Sequence, residues 1–285
     1  MESQRSTEMT RMGRNVNAVF LFAGVSVLLL AVLLKLLYGD NSFKIFVGVS
    51  EAVSALLASL IGIGAFARGG LARDDGFRLM NLAISVGLVF FFVADVAEYA
   101  LSSVPQGAQL SFAVYLIQVC GLLFWIIGIA AYLRASNEVL GYVSTRVMWT
   151  ASVASSILFS SLMLLWETVR GSHPDLFSLA SRAPILFGLA FVAISMAALF
   201  WIFRTGRLSL PMGLGFTGVF LFLIQNFASQ VLLESLTPYM QILAAEAYLI
   251  LGASLSAAAL LQRPSIASSP IDGNHGAPLP PTAGA

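Results

Sequence analysis

The chain is poor in charged residues. Asp, Glu, Lys and Arg make up 10% of its 285 residues, whereas 58% are hydrophobic. A soluble domain averages about 25% charged residues, so this composition excludes a soluble globular protein and a disordered chain. The formal net charge is +1, which lacks the basic surplus of a nucleic-acid-binding protein. We therefore expect a protein embedded in a lipid bilayer.

Groups that carry catalysis or bind metals are also scarce. The one cysteine, Cys120, excludes an intrachain disulfide. The two histidines, His173 and His275, fall outside the apolar runs, so no run offers the histidine pair of a haem or zinc site. The sequence has no His-Glu-x-x-His, no Gly-x-Ser-x-Gly and no glycine-rich phosphate loop. We predict a non-enzymatic protein with no catalytic residue, metal or cofactor.

Long apolar runs dominate what is present. Crossing a hydrocarbon core of about 30 Å takes roughly 20 helical residues, and isolated strands would leave backbone groups unpaired in lipid. Eight runs meet this length: 17–38, 45–67, 79–101, 110–133, 147–169, 183–203, 210–234 and 239–262. We predict an all-α polytopic membrane protein with eight transmembrane helices, the first of them retained and not cleaved as a signal peptide.

The basic residues predict the orientation of these spans. Eleven fall in the N-terminal segment and in every second connection: Arg5, Arg11, Arg14, Arg68, Arg73, Arg78, Arg134, Arg146, Arg204, Arg207 and Arg263. The opposite side holds only Lys44, Arg170 and Arg182. Because basic residues concentrate on the cytoplasmic side, both termini are predicted to be cytoplasmic. The excess of arginine over lysine, in a chain rich in alanine and glycine, favours a bacterial inner membrane.

The spans predict a division into two halves. A cytoplasmic segment 1–16 precedes the first four-helix half, 17–134, and a connector, 135–146, leads to the second half, 147–263. The proline-rich tail 264–285 is predicted to be disordered. In each half the last two spans lie between arginines 56 residues apart, Arg78 and Arg134 in one, Arg207 and Arg263 in the other. This spacing is compatible with a parallel four-plus-four repeat, although bilayer thickness alone also equalises span lengths.

Prolines do not interrupt the spans. Pro184, Pro211 and Pro238 are predicted at the starts of the sixth, seventh and eighth spans, where a helix tolerates proline. Many secondary transporters build their substrate site from broken helices, and no proline creates such a break here.

Seven ionisable residues lie inside the spans, all toward the predicted outer side: Lys35, Glu51, Asp95, Glu98, Glu167, Glu234 and Glu246. Snorkelling to the interface is the simpler explanation for Lys35, Glu98, Glu167 and Glu234. The depth of Glu51, Asp95 and Glu246, about 10 Å from the interface, favours a functional role, because ionisable groups in hydrocarbon are costly.

Helical spacing predicts that several polar side chains share faces. Glu51, Ser54, Ala58 and Gly62 form one stripe, and Asp95 and Glu98 are three residues apart. We predict an outward-facing polar cavity whose lining is Glu51, Asp95, Glu98, Asn226, Gln230 and Glu246. Clustered carboxylates cannot all stay charged in a dry site, so a proton, a cation or Lys35 should neutralise part of the cluster.

Two functions fit this pattern. The first is a non-enzymatic subunit of a membrane complex, or a sensor that binds a small ligand or cation from the outer side. The second is a small secondary or ion-coupled transporter that uses the same carboxylates. Polar stripes that thin out toward the cytoplasm favour the first, and expected partners are the bilayer, other membrane proteins and a small ligand or cation.

Overall fold

The computed structural model describes residues 2–67, 76–101, 108–140, 145–169, 176–231 and 237–261. These residues form seven α-helices, with no strand among them: α1 Glu2–Ala67, α2 Gly76–Leu101, α3 Ala108–Leu140, α4 Thr145–Val169, α5 Leu176–Phe203, α6 Ser209–Val231 and α7 Thr237–Leu261. Each of the seven is long and apolar enough to cross a membrane. The all-α prediction is confirmed, and the helices support a multi-pass membrane protein.

Helix α1 contains a break where the sequence predicts a loop of about six residues. Gly39 alone leaves the helical conformation, with φ of 82° and ψ of −174°. A positive φ costs little only in glycine, which has no Cβ, so one residue can turn the chain there. The apolar stretch Ala18–Ala67 would extend roughly 75 Å as a straight helix, far beyond a bilayer core. We call residues 2–38 the N-arm and residues 40–67 the C-arm of α1.

The two arms run antiparallel along α7. Near the break, Lys35 of the N-arm and Phe43 of the C-arm both contact the ring of Tyr239. At the far end, a Cβ on Gly252 would lie 2.9 Å from Phe20 and 3.3 Å from Ala58. Phe20 and Ala58 stand 19 residues before and after Gly39, so residues equally distant from the break meet the same level of α7. The chain therefore folds back on itself at Gly39.

The remaining helices pack around this hairpin and α7. Helix α7 contacts α1 and α6, α2 contacts α1 and α3, and α5 contacts α3, α4 and α6. Alanines along α7, among them Ala244, Ala247 and Ala258, are buried and allow the neighbouring helices to approach closely. We call the end of the bundle that contains Gly39 the outer end. The opposite, inner end contains Phe66, whose carbonyl accepts a 2.9 Å hydrogen bond from Arg78 Nε and so helps to cap the C-arm.

Helix α5 begins earlier than the sequence predicts. The sixth span is predicted to begin at residue 183, but α5 begins at Leu176 and continues without a break into that span. Pro184 therefore lies inside α5 and not in its first turn. At its other end, α5 joins α6 through a tight turn in which the Gly206 N–H donates to the Phe203 carbonyl at 3.0 Å. The predicted tail 264–285 and the Arg68 and Arg73 connection lie outside the described residues.

Candidate functional site

Glu51 is a buried carboxylate on the C-arm. It has 8% of its surface exposed, which is exceptional for a glutamate, and it shares a buried face with Ser54, Ala55 and Ala58. Small residues at this spacing let α1 approach its neighbours and turn Glu51 into the bundle. Glu51 stands 11 residues beyond Asp40, so it lies ~17 Å along the helix axis from the break at the outer end.

Helix α2 brings two further carboxylates to the same place. Asp95 and Glu98 share a face of α2, Asp95 half-buried and Glu98 exposed nearer the outer end. Glu51 is close enough to both to be repelled electrostatically by them. The three predicted residues therefore form one cluster, and their exposure decreases from Glu98 through Asp95 to Glu51. A small cation or proton could reach the deepest carboxylate through this series.

Tyr248 of α7 completes the cluster, although the sequence does not single it out. Its side chain is 0% exposed, and its hydroxyl interacts with the Asp95 carboxylate. Within the described part of the chain, neither the Tyr248 hydroxyl nor Asp95 Oδ2 has a hydrogen-bond partner of good geometry. The sequence signal that could have identified Tyr248 is its position in the middle of a span, because tyrosines of membrane proteins concentrate at the interfaces. We call Glu51, Asp95, Glu98 and Tyr248 the outer acidic site.

Aromatic rings close the inner side of this site. Phe91, Trp125, Phe222 and Tyr248 come from four different helices, and we call them the aromatic cluster. The Phe91 ring centroid lies 5.0 Å from that of Trp125 and 5.1 Å from that of Phe222, and Phe222 lies 5.1 Å from Tyr248. Trp125 is fixed by a 3.0 Å hydrogen bond from its Nε1 to the Ile84 carbonyl. All four side chains are buried, so this side of the site is closed by apolar rings.

Glu246 lies apart from the other carboxylates. It is two residues from Tyr248, and two residues rotate a helix by about 200°, so the two side chains leave α7 in nearly opposite directions. Glu246 faces the N-arm, where a Cβ on Gly24 would come within 2.3 Å of Glu246 Oε2. Its Oε1 is buried without a hydrogen-bond partner among the described residues. Glu246 therefore forms a second, separate acidic position.

The structure describes the side chain of one of the two amides predicted to line the cavity, Asn226. Asn226 Nδ2 donates to the Phe222 carbonyl at 3.1 Å and to Gln225 Oε1 at 2.7 Å, so its donor is satisfied within α6. The side chain of Gln230 lies outside the described residues, and so do Glu234 and the side chain of Glu167. Neither hydrogen bond of Asn226 reaches the outer acidic site.

Lys35 has partners of its own at the outer end. Its ammonium donates a hydrogen bond to the Tyr239 hydroxyl and lies 3.9 Å from Asp40 Oδ1. It also lies 5.3 Å from the Phe43 ring centroid, a distance typical of a cation–π contact. These contacts join both arms of α1 to the start of α7. The charge of Lys35 is therefore directed to Asp40 and two aromatic rings.

A second feature lies closer to the inner end, and most of its lining is apolar. Helices α2, α3, α5, α6 and α7 surround a small cavity with room for about one water molecule. Asn81, Trp125, Gly215 and Ser254 are among its lining residues, and we call it the inner cavity. The sequence predicts nearly apolar inner halves, and these polar residues escape notice because a single serine or asparagine is common in a transmembrane helix.

The outer acidic site does not have the geometry of a metal centre. Within the described ranges, no three His, Cys, Asp or Glu side chains converge closely enough to hold a metal ion. Its carboxylates are arranged in series instead, with a hydroxyl at the deepest level, which suits proton binding or a small cation held by one or two of them. No protein-family model, curated protein or solved structure shows a significant match to this chain.

Proposed function

We propose that this chain crosses the membrane eight times, with both termini on the cytoplasmic side of a bacterial inner membrane. The fold-back at Gly39 supports this count, because each arm of α1 is long enough to cross a core of about 30 Å by itself. The orientation is supported by the eleven basic residues that the sequence puts in the N-terminal segment and in every second connection. A parallel duplication of four-helix halves remains part of this proposal on the strength of the 56-residue spacing alone.

We further propose that the protein is a non-enzymatic sensor or membrane-complex subunit whose outer acidic site binds a proton or a small cation. One observation carries this function: three carboxylates and a buried hydroxyl that interacts with one of them meet in the bundle, and none of the four groups is basic. Asp95 faces Glu51 of α1 and Tyr248 of α7, with Glu98 beside it on α2. Glu51 and Asp95 lie in the bundle with Glu98 beside them, and three negative charges this close together are too costly to persist, so a cation or protons must neutralise part of the cluster.

The decisive experiment measures the thermal stability of the protein in lipid nanodiscs as a function of pH. Protonation removes the repulsion among buried carboxylates, so we expect the melting temperature to rise by at least about 3 °C between about pH 8 and about pH 5. In Asp95→Asn this rise should be smaller, because the repulsion between Asp95 and the two glutamates is removed. A small cation that competes with protons should raise the melting temperature at the higher pH by mass action.

Glu246→Gln is the matched control for this measurement. Glu246 lies on the same helix as Tyr248 and is also intramembrane, but it faces Gly24 and not the outer acidic site. The variant should retain most of the pH-dependent rise. Equal pH dependence in the wild type and Asp95→Asn, with the loss confined to Glu246→Gln, would contradict the proposal.

A small ion-coupled transporter is the alternative, and the inner cavity is the observation that favours it. Sites that exchange a substrate between two sides need polar groups on the path to both sides, and Asn81 and Ser254 supply such groups below the aromatic cluster. Reconstituted protein that dissipates a proton or sodium gradient in liposomes would favour this alternative. Tightly sealed liposomes together with a pH-dependent melting temperature would favour the sensor.

A further inference from the structure

Helices α5 and α6 are joined at the inner end of the bundle by a short turn that contains two arginines. The Phe203 ring at the end of α5 lies 5.9 Å from that of Tyr132, which lies 5.4 Å from the ring of Phe77 near the start of α2. Since α2 starts at the inner end, α5 also ends there. Arg204 and Arg207 follow in the turn, and both are exposed.

The turn holds the two arginines in equivalent positions. The Gly206 N–H donates to the Phe203 carbonyl, and the Ser209 N–H donates to the Gly206 carbonyl, both at 3.0 Å. Arg204 and Arg207 are each the second residue of one of these successive turns. Two Cα atoms three residues apart lie within about 10 Å of each other even in an extended chain, so the two long side chains can reach one group of phosphate size.

An aromatic ring holds Arg204 on the outer surface of α5. The guanidinium carbon lies 4.3 Å from the centre of the Trp201 ring, a cation–π contact, and Trp201 is 67% exposed. An exposed tryptophan one turn from the end of a span is typical of the lipid–water interface, where the headgroups lie. Among the described residues, no carboxylate pairs with Arg204 or Arg207. Their N–H donors therefore face the headgroup layer.

Aromatic side chains continue from the two arginines toward the outer end. Phe200 lies four residues before Arg204 and shares its side of α5. The Phe200 ring is nearly parallel to that of Phe216 on α6, with centroids 6.4 Å apart, and Phe216 lies 5.6 Å from Phe220. Phe220 is 44% exposed. The seam between α5 and α6 therefore presents an apolar strip with two cations at its inner end.

We propose that this seam binds an anionic phospholipid, with its phosphate between Arg204 and Arg207 and an acyl chain along the strip of rings. Guanidinium groups bind phosphate oxygens through paired N–H donors, and basic residues at a membrane surface attract anionic lipids. The strip favours a lipid over a soluble anion, because only a lipid has chains to place against it. The residues that form this corner site are Trp201, Arg204, Arg207, Phe216 and Phe220.

Native mass spectrometry of the purified protein measures this binding. Phosphatidylglycerol and phosphatidylcholine with the same acyl chains are titrated separately, since only the first has a net negative charge. In the double variant Arg204→Gln/Arg207→Gln, we expect phosphatidylglycerol to bind at least about tenfold more weakly and phosphatidylcholine to bind as before. Equal binding of phosphatidylglycerol by the wild type and the double variant would overturn the proposal. Its displacement by an equimolar amount of soluble glycerol phosphate would identify a soluble anion as the ligand, which also contradicts it.

The double variant Arg134→Gln/Arg146→Gln is the matched control. Both arginines are exposed, but they belong to α3 and α4 and lie outside the turn between α5 and α6. This variant loses the same charge and should bind phosphatidylglycerol like the wild type. If the control loses as much affinity as the corner variant, the attraction is spread over all the arginines and the corner site is wrong.

Fluorescence quenching locates the bound lipid. Phosphatidylglycerol with brominated acyl chains should quench tryptophan fluorescence more than brominated phosphatidylcholine does at the same mole fraction. We expect this excess to disappear in Trp201→Phe and in Arg204→Gln/Arg207→Gln. An excess that persists in Trp201→Phe would place the lipid elsewhere and refute the corner site. The outer acidic site takes no part in these measurements, so the two proposals can fail separately.

Discussion

The outer and inner halves of the bundle handle polar side chains differently. In the inner half, Asn81 and Ser85 donate hydrogen bonds to backbone carbonyls four residues earlier in their own helix, at 2.7 and 2.6 Å. In the outer half, Glu51 and Asp95 are carboxylates, and an ionised carboxylate can only accept. A helix interior has no free N–H groups to donate to it, because each is already bonded within the helix. Neutral polar residues can therefore be satisfied locally in a membrane, whereas carboxylates need a proton, a cation or a donor from another helix.

The largest expected loss of stability is that of Gly87→Ala, at the boundary between the two halves. A Cβ on Gly87 would lie 2.4 Å from the Trp125 ring and 2.7 Å from the Gly121 carbonyl, and neither can move easily. Gly87→Ala should therefore destabilise the bundle by ~2–3 kcal/mol through overpacking. Gly64→Ala, whose Cβ would meet nothing within 4 Å, is the control. Unfolding of the purified protein by denaturant measures both, and equal stability of the two variants would show that α2 and α3 do not approach so closely.

An intermediate effect is expected at Lys35. Replacing it by methionine removes the hydrogen bond to Tyr239, the Asp40 ion pair and the cation–π contact with Phe43. Solvent screens contacts of this kind at an exposed ammonium, so they stabilise the protein only modestly. The variant should lose less stability than Gly87→Ala and keep the pH dependence of the outer acidic site. A change in that pH dependence would identify Lys35 as the counterion of the carboxylates and weaken the contrast between the halves.

The smallest effect is expected for an inner hydroxyl. Ser85→Ala keeps the Cβ beside Gly62 and removes the hydroxyl with its hydrogen bond to the Asn81 carbonyl, and such bonds contribute ~0.6 kcal/mol on average in membrane proteins. The melting temperature in nanodiscs should change little, with the same pH dependence as the wild type. A loss comparable with that of Gly87→Ala would mean that the inner half also depends on its polar groups.

Part of the outer acidic site could be predicted because helical spacing reports which residues share a face. Asp95 and Glu98 follow from a separation of three residues, and Glu51 follows from the small residues beside it. Spacing within one helix cannot show which face meets which neighbour. Glu246 is predicted to lie with Asp95 because both are about equally deep in their spans. In the structure, Glu246 instead faces Gly24 of the N-arm. Tyr248 is unmarked in the sequence because its role comes from the packing of α7 against α2.

The sequence by itself determined the all-helical, membrane-spanning character of the protein, because apolar length and scarcity of charge depend only on composition along the chain. Even the break between the first two predicted spans is encoded locally, in a glycine that can adopt a positive φ. Only the tertiary structure decided which polar groups meet. The rotation of each helix about its axis is set by contacts such as Gly62 against Ser85 and Gly87 against Trp125, which join residues distant in sequence. Those contacts place Tyr248 beside Asp95 and enclose the inner cavity below it.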